Sequence, residues 1–340
     1  MTNSDQAVCA KANANIALAK YWGKSDLEYN LPAVPSLSLT LKGLTTETWV
    51  EADAALSTDE VWLDGRRASE KESARVVACL DRLRQAAKDP AFLRVASKNR
   101  FPTAAGLASS ASGFAALVSA AAPALGLNAS VARLSAYARW ASASAARSLF
   151  GGFAELPAGK PGKRWLAAKP VAPIDHWNVR IVVALTAKGP KKVGSTEGME
   201  RSRNTSPIYE SWVGSAPALT RKLKRAVLKK DLHGVGAAME QSTMAFHGCA
   251  MSSDPAILYW QPGTMSALHT LHRLRERGVA VYGTMDAGPH VKALCEAKDV
   301  SKVNRALRDT EGVLETKTLA PGAGAQVSFK RSIPKAMFTP

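Results

Sequence analysis

The residues that most plainly could do chemistry form one uncharged stretch, Phe101-Pro102-Thr103-Ala104-Ala105-Gly106-Leu107-Ala108-Ser109-Ser110-Ala111-Ser112-Gly113-Phe114. Pro102 and Gly106 keep its first half irregular, three hydroxyls fall within four residues, and an Ala-rich helical pattern follows. The first amides of a helix lack internal acceptors and sit at the positive end of its dipole, so the stretch is a candidate phosphate cradle. Gly106, Ala108 and Ala111 would let the backbone approach a phosphate chain, while Ser109, Ser110 and Ser112 could bond its oxygens or complete a Mg²⁺ shell. There is no lysine here and no GxxxxGK[ST] pattern, so the cations must come from elsewhere in the chain. The competing reading is a small-residue helix packed closely on a sheet.

Candidate cations lie in separate islands. Lys20-Tyr21-Trp22-Gly23-Lys24 places two lysines and a tyrosine around a glycine turn, either an anion clamp or a solvated strand end. Ser144 and Arg147 are i and i+3 in a helical pattern, and the arginine fork suits a planar carboxylate. Arg75, near the start of an amphipathic helix, points at a site or at solvent. A basic, Gly-containing loop over residues 188–199 includes Ser195 and Met199. Asp286 sits between an apolar strand, Val279-Ala280-Val281-Tyr282, and an Ala-Gly-Pro turn; it is a functional carboxylate or a turn aspartate.

The elements that must hold these groups can be read around them. Residues 8–20 make a strand that enters the Tyr21 turn, and residues 36–41 alternate strictly with hydroxyls on one face, the mark of a structural strand. Residues 46–50 and 60–63 form a further strand pair with Asp64-Gly65 as turn chemistry, 73–87 an amphipathic helix, and 92–97 a strand leading to the Phe101 loop. A helical pattern runs from 131 through Arg147 to Gly152. The apolar run 179–185 is a buried strand, and helical patterns follow to 230, over 231–246, 265–277 and 301–310. A chain of 340 residues is too long for one core, so two domains are expected, 1–185 and 186–340.

Lys and Arg total 45 against 28 acidic residues, a net charge of +17. That excess suits nucleic acid or a small polyanion. Its densest cluster, Arg221-Lys222-Leu223-Lys224-Arg225 with Lys229-Lys230, reads as a solvated helix face. Four separated cysteines without a CxxC pair indicate neither a zinc site nor a disulfide framework, and the polar N-terminus has no signal-peptide pattern, so the expected location is cytoplasmic. The charge-free run from 101 to 132 is long enough to span a bilayer, but its prolines, serines and alanines exclude that.

Taken together, four islands resemble the mevalonate diphosphate decarboxylases of the GHMP kinase superfamily: Asn15-Ile16-Ala17 through Lys24, Phe101 through Ser110, Arg147-Ser148-Leu149-Phe150-Gly151-Gly152, and Met285-Asp286-Ala287-Gly288-Pro289. The resemblance covers about residues 8–327 in order and spacing. It implies an α+β, two-lobed GHMP-kinase-like fold with the site in the cleft between the lobes. It also implies an enzyme that uses ATP and Mg²⁺ to phosphorylate the 3-hydroxyl of mevalonate 5-diphosphate, after which phosphate and CO₂ leave to give isopentenyl diphosphate. Carried over by position, Asp286 faces the 3-hydroxyl, Lys20 stands beside it and Arg147 holds the substrate carboxylate. Tyr21, Lys24, Arg75, Ser142, Ser144, Ser195 and Met199 match substrate-binding positions. Asn99, Gly106, Leu107, Ala108, Ser109, Ser110 and Ser112 match the ATP cradle, with Ser110 as the metal candidate, and a homodimer is implied.

Departures from the family pattern bear on substrate choice. Ala141-Ser142-Ala143-Ser144 stands where Gly-Ser-Gly-Ser is usual, Ser25 follows Lys24 where a basic residue is common, and Thr196 replaces an arginine of some members. These changes thin the positive lining and leave open a phosphomevalonate decarboxylase acting on the monophosphate. A nucleic-acid-binding protein on the same fold is the rival from another class, though such a module has no need for Lys20, Arg147 and Asp286 together.

Overall fold

A computed structural model describes residues 6–101, 109–189 and 191–340. In chain order the elements are β1 (Ala7–Ala19), β2 (Lys24–Asp26), β3 (Leu31–Pro32), β4 (Ser36–Ala52), β5 (Glu60–Leu63), β6 (Arg66–Arg67), α1 (Glu70–Ala87), β7 (Leu93–Asn99), α2 (Ser109–Ala124), α3 (Val131–Ala141), α4 (Ala145–Ser148), β8 (Phe153–Leu156), β9 (Lys169–Ala172), β10 (Val179–Leu185), α5 (Ser195–Thr205), α6 (Tyr209–Lys229), α7 (Leu232–Met251), α8 (Pro262–Glu276), β11 (Val281–Thr284), β12 (Val291–Glu296), α9 (Val300–Arg308), β13 (Glu315–Leu319) and β14 (Gln326–Lys330).

The first sheet runs β14-β1-β4-β7-β5-β6, and β8 with β9 continues from the N-terminal half of β4. The second is antiparallel, β11-β12-β10-β13. Strand pairing cuts across the expected division at 185: Val179–Leu185 belongs to the second sheet, and the last strand, Gln326–Lys330, returns to the first. The apolar run at 179 was read correctly as a buried strand, but its partners lie downstream, which composition cannot reveal.

Residues 36–41 and 46–50, expected as separate strands, are one 17-residue strand. Gly43 takes φ +93°, a value that glycine adopts without strain, so the strand bends there and keeps pairing with β1. The helix expected from 131 to 152 is interrupted. Ser142 is extended (φ −155°, ψ 117°), ending α3, and α4 restarts three residues later for one turn.

One face of the first sheet, with Val8, Ala10, Val50 and Val95, packs on α1, α2 and α3. The alanines of α2 allow that helix to lie close on β1 and β4, so the small-residue reading of the Ala-rich run is correct for its buried side. The other face, with Ile16, Leu18, Leu37 and Leu39, shares a core with Ile181 and Val183 of β10 and with Val227 and Met239 of α6 and α7. This shared core joins the two sheets. Gly236 is part of the joint, since a Cβ there would lie 2.0 Å from the Tyr282 ring. Among the described residues no helix is long and apolar enough to cross a membrane.

Candidate active site

β1 ends at Ala19, and the next residue delivers a buried ammonium. The Lys20 amide donates to Ser242 Oγ of α7 at 2.9 Å, and its Nζ donates to Ala17 O and to Asp286 Oδ1, both at 2.8 Å. Asp286 lies in the turn between β11 and β12, where Gly288 N donates to its carbonyl at 2.7 Å. Its other oxygen, Oδ2, is 3.1 Å from the Nζ of Lys292 on β12. Burial alone would raise the Asp286 carboxyl, but Lys20 and then Lys292 override it and hold it far below the usual carboxylate range. Burial depresses Lys20 to about 8 against the pull of Asp286. His247 of α7 stands nearby, pushed down to about 3 by burial and by Lys20, so its ring is neutral.

Arg147, on the single turn α4, is buried at 2% exposure. Its Nε donates to Ser38 Oγ at 2.9 Å, one terminal nitrogen bonds Ser36 Oγ, and the other reaches Asn15 Oδ1 at 3.4 Å. Asn15 in turn donates to Ser144 O at 2.9 Å and Ser148 Oγ at 2.8 Å. The hydroxyl face of β4, expected to be merely structural, is thus the seat of the arginine. Burial lowers Arg147 to about 10, with Asp286 opposing, which leaves it charged at neutral pH.

Lys20, Arg147 and Asp286 line one cleft of about 940 Å³. Tyr21, Lys24, Arg75, Ser109, Ser110, Ser142, Ser144, Ser195 and Met199 line it too, so these predicted residues come together as expected. Gly23, at the turn, has φ +104°, and a Cβ there would lie 2.2 Å from the Tyr209 hydroxyl. Ser110, Ser142 and Ser144 form a row, with Oγ separations of 3.4 and 3.1 Å. The Tyr21 hydroxyl is buried and has no hydrogen-bond partner among the described residues, the condition of a group that a ligand would satisfy.

Two predicted residues do not line the cleft. Ser112 is fully buried and bonds Thr46 Oγ1 at 2.6 Å, because it lies on the sheet-facing side of α2. Asn99 accepts from the same threonine at 2.7 Å and takes its place in β7 pairing. Gly106, Leu107 and Ala108 lie outside the described residues. Sequence reasoning missed Lys292 and assigned no role to Lys191, in the basic loop, or to Asn15, at the head of one island. Lys191 Nζ donates to Ser195 Oγ at 2.6 Å and Ala287 O at 3.0 Å, tying the loop before α5 to the Asp286 turn.

The lining carries the cations Lys20, Lys24, Arg75, Arg147 and Lys191 against the acids Glu197 and Asp286, so the cleft suits an anionic ligand. Among the described residues no three of His, Cys, Asp or Glu cluster so as to hold a metal. The donor set fits a Mg²⁺ held mainly by phosphate oxygens, with the exposed Ser110 hydroxyl as the protein ligand at hand.

Known proteins match this chain over most of its length. A model described as the diphosphomevalonate decarboxylase-like N-terminal domain matches residues 12–167, and one described as the mevalonate 5-diphosphate decarboxylase C-terminal domain matches 181–328. The diphosphomevalonate decarboxylase of Candida albicans is 35% identical over 312 residues, 86% of this chain and 85% of that protein. The chain belongs to the diphosphomevalonate decarboxylase family. Among solved structures of the family, the Staphylococcus aureus enzyme superposes with a TM-score of 0.90 at 34% identity, covering 95% of this chain and 98% of that one. A complex described as MDDEF with MVAPP, AMPPCP and magnesium gives 0.88 at 38% identity, covering 95% and 99%. The α+β, two-domain fold is therefore that of this GHMP-kinase-like family.

Proposed function

We propose that this protein catalyses the ATP-dependent decarboxylation of mevalonate 5-diphosphate to isopentenyl diphosphate, releasing ADP, phosphate and CO₂. The observation that carries the reading is the ionised Asp286, bound by Lys20 at 2.8 Å, in the same cation-rich cleft as the buried Arg147. Family membership supports it, as do the relatives seen with MVAPP and AMPPCP.

A tertiary alcohol is a hindered nucleophile, and Asp286 orients it by accepting its hydrogen bond. Because Asp286 is so weak a base, the proton moves late, when the new P–O bond has made the alcohol oxygen acidic. Lys20, beside that oxygen, counters charge on the transferring phosphoryl group. In the second step the C–O bond to the new phosphate breaks as the electrons of the C–CO₂⁻ bond form the double bond. Arg147 aligns the carboxylate and does not itself react. Tyr21, Lys24, Arg75, Ser142 and Ser195 hold the 5-diphosphate end, Ser144 lies beside Arg147 near the substrate carboxylate, Met199 lines the substrate pocket, and Ser109 and Ser110 hold the nucleotide phosphates. Mg²⁺, when bound, neutralises phosphate charge. The proposal includes a cytoplasmic homodimer.

Purified protein given ATP, Mg²⁺ and mevalonate 5-diphosphate is expected to release ADP, phosphate and CO₂ in equal amounts. ADP without CO₂ would make it a kinase. A higher kcat/KM for the 5-monophosphate would move the assignment to that substrate.

A further inference from the structure

Lys292 falls inside an apolar strand, Val291-Lys292-Ala293-Leu294-Cys295, and its side chain is 1% exposed. A lysine is rarely found so deep unless it is paired. Side chains alternate along β12, so Val291, Ala293 and Cys295 face α8 and α9, while Leu294, and with it Lys292, faces the core between the sheets. Lys292 pairs directly with Thr284, the last residue of β11, and Asp286 is two residues further on. The hairpin register therefore fixes the distance between ammonium and carboxylate, and Nζ comes within 3.1 Å of Oδ2.

We propose that Lys292 is a positioning residue for Asp286: Lys20 on Oδ1 and Lys292 on Oδ2 together fix the plane of the carboxylate that lines the cleft. The inference rests on the reading of Asp286 as the group that meets the substrate hydroxyl. A carboxylate offers about four acceptor sites, and a single ion pair leaves it free to turn about its Cβ–Cγ bond. Contacts to both oxygens, one from the residue that follows β1 and one from β12 of the other sheet, remove that freedom. The Asp286 side chain keeps 26% exposure, which is the part a ligand can reach.

Asp286 is surrounded by Lys20 at the end of β1, Lys292 on β12, Arg147 on α4, Lys191 before α5, His247 on α7 and His290 in its own turn. Lys292 repels the proton on Lys20, so its removal lets Lys20 hold that proton to higher pH. The same removal takes away one of the two cations that keep Asp286 ionised. Both changes move activity towards higher pH, a response that loss of packing alone does not produce.

The test is steady-state kinetics of the full chain and its Lys292→Met and Lys292→Gln variants, with ATP and mevalonate 5-diphosphate across the pH range, alongside ATP binding and Tm. Lys292→Met is expected to lose about a hundredfold in kcat, as misplacement of a reacting group does. The KM for ATP should stay within about twofold and the alkaline limb of kcat/KM should move up. Lys292→Gln keeps an N–H for Oδ2, so it recovers part of kcat but shows the same shift. In an Asp286→Asn background Lys292→Met adds little, because both changes act on one group. A Lys292→Met enzyme within about threefold of wild type with an unmoved limb overturns the inference. So does a loss of ATP binding and Tm in step with kcat in both variants. No CO₂ from the wild type would overturn the underlying reading and this inference with it.

Discussion

Both ends of the cleft are rich in cations, but they hold their charges in different ways. At the reacting end Asp286 already has ammonium partners at 2.8 and 3.1 Å, and Arg147 is seated on Ser36, Ser38 and Asn15. At the phosphate end Arg75 donates to the carbonyl of Ala141 at 2.6 Å and Lys191 to Ser195 Oγ and Ala287 O. Lys24, Arg75 and Lys191 form no ion pair within 4.0 Å among the described residues, although Glu200 acts on Lys24 at longer range. At the first end the charged groups are already held by protein partners, with Asp286 Oδ2 in an ion pair but without a hydrogen bond among the described residues, which favours a transition state that needs little reorganisation. The second is an excess of positive charge that anionic phosphates complete, which favours capture.

The sharpest way to break that contrast is to remove the charge at the reacting end. Asp286→Asn is expected to lower kcat by at least about 10³-fold, with ATP affinity nearly unchanged, because the proposed nucleotide-phosphate residues, Ser109 and Ser110, are other groups of the cleft. Single-turnover and ATP-binding measurements decide it, and near-wild-type rates would remove Asp286 from the mechanism. Asp286→Ala should also destabilise, since it strands two buried ammoniums. Breaking a buried pair costs roughly 3–5 kcal/mol, which a thermal melt can read.

Arg147→Lys comes next. The charge survives but the fork that spans Ser36, Ser38 and Asn15 does not, so the substrate carboxylate loses its alignment. The expected fall in kcat is about a hundredfold, and ADP formation should outrun CO₂ release if phosphorylation survives. Equal losses of both products would show that Arg147 acts before the two steps diverge.

The pH profile sharpens the same point at smaller scale. Lys20 must be protonated to pair with Asp286 and to face phosphate, and burial brings it down to about 8 in the free protein. kcat/KM is therefore expected to be level below pH 8 and to fall about tenfold per unit above it, whereas an ordinary lysine would hold until pH 10 or so. Bound phosphates favour the charged ammonium, so the kcat limb should lie at higher pH than the kcat/KM limb. An alkaline limb of kcat/KM near 10 would mean that Lys20 is not depressed.

Arg75→Ala addresses the phosphate end. The side chain is exposed, and its partner is a backbone carbonyl that water can satisfy, so the protein should fold normally. The KM for mevalonate 5-diphosphate should rise about tenfold, as when one charge-assisted bond is lost, with kcat changed little. Added salt should narrow the gap between the variant and wild type. A fall in kcat at constant KM would show that the two ends are less separate than their charges suggest.

How far the sequence revealed this arrangement depended on whether a group worked locally or through distant partners. β1, β10 and the amphipathic helices follow periods of two and 3.6 and were legible from their own residues, whereas Lys20 and Asp286 each kept a second reading until the family resemblance grouped them with Arg147. Lys292 was not legible, because a lysine in an apolar strand is informative only once the β11–β12 register is known. The hydroxyls of Ser36 and Ser38 were visible as an alternating face, but their role depends on α4, which is 109 residues beyond Ser38 at Arg147. Sheet membership failed at residue 185 for the same reason. Strand order is a property of long-range pairing, and nothing in a strand's own composition names its neighbours.

Ser112 gives the smallest effect and separates two readings of the same serine. As a phosphate ligand its loss would raise the KM for ATP. In the structure its hydroxyl bonds Thr46 Oγ1 inside the contact between α2 and β4 and is fully buried. Thr46 keeps its bond to Asn99 at 2.7 Å when Ser112 is removed, so no orphaned group results. Ser112→Ala should therefore cost about 1 kcal/mol of stability, read by denaturant melts, and leave the KM for ATP unchanged. Ser110→Ala, one residue pair earlier on the exposed side of the same helix, should do the reverse. If both variants raise the KM for ATP, the phosphate end extends into the helix–sheet contact and the division between a pre-paired and an anion-seeking end must be redrawn.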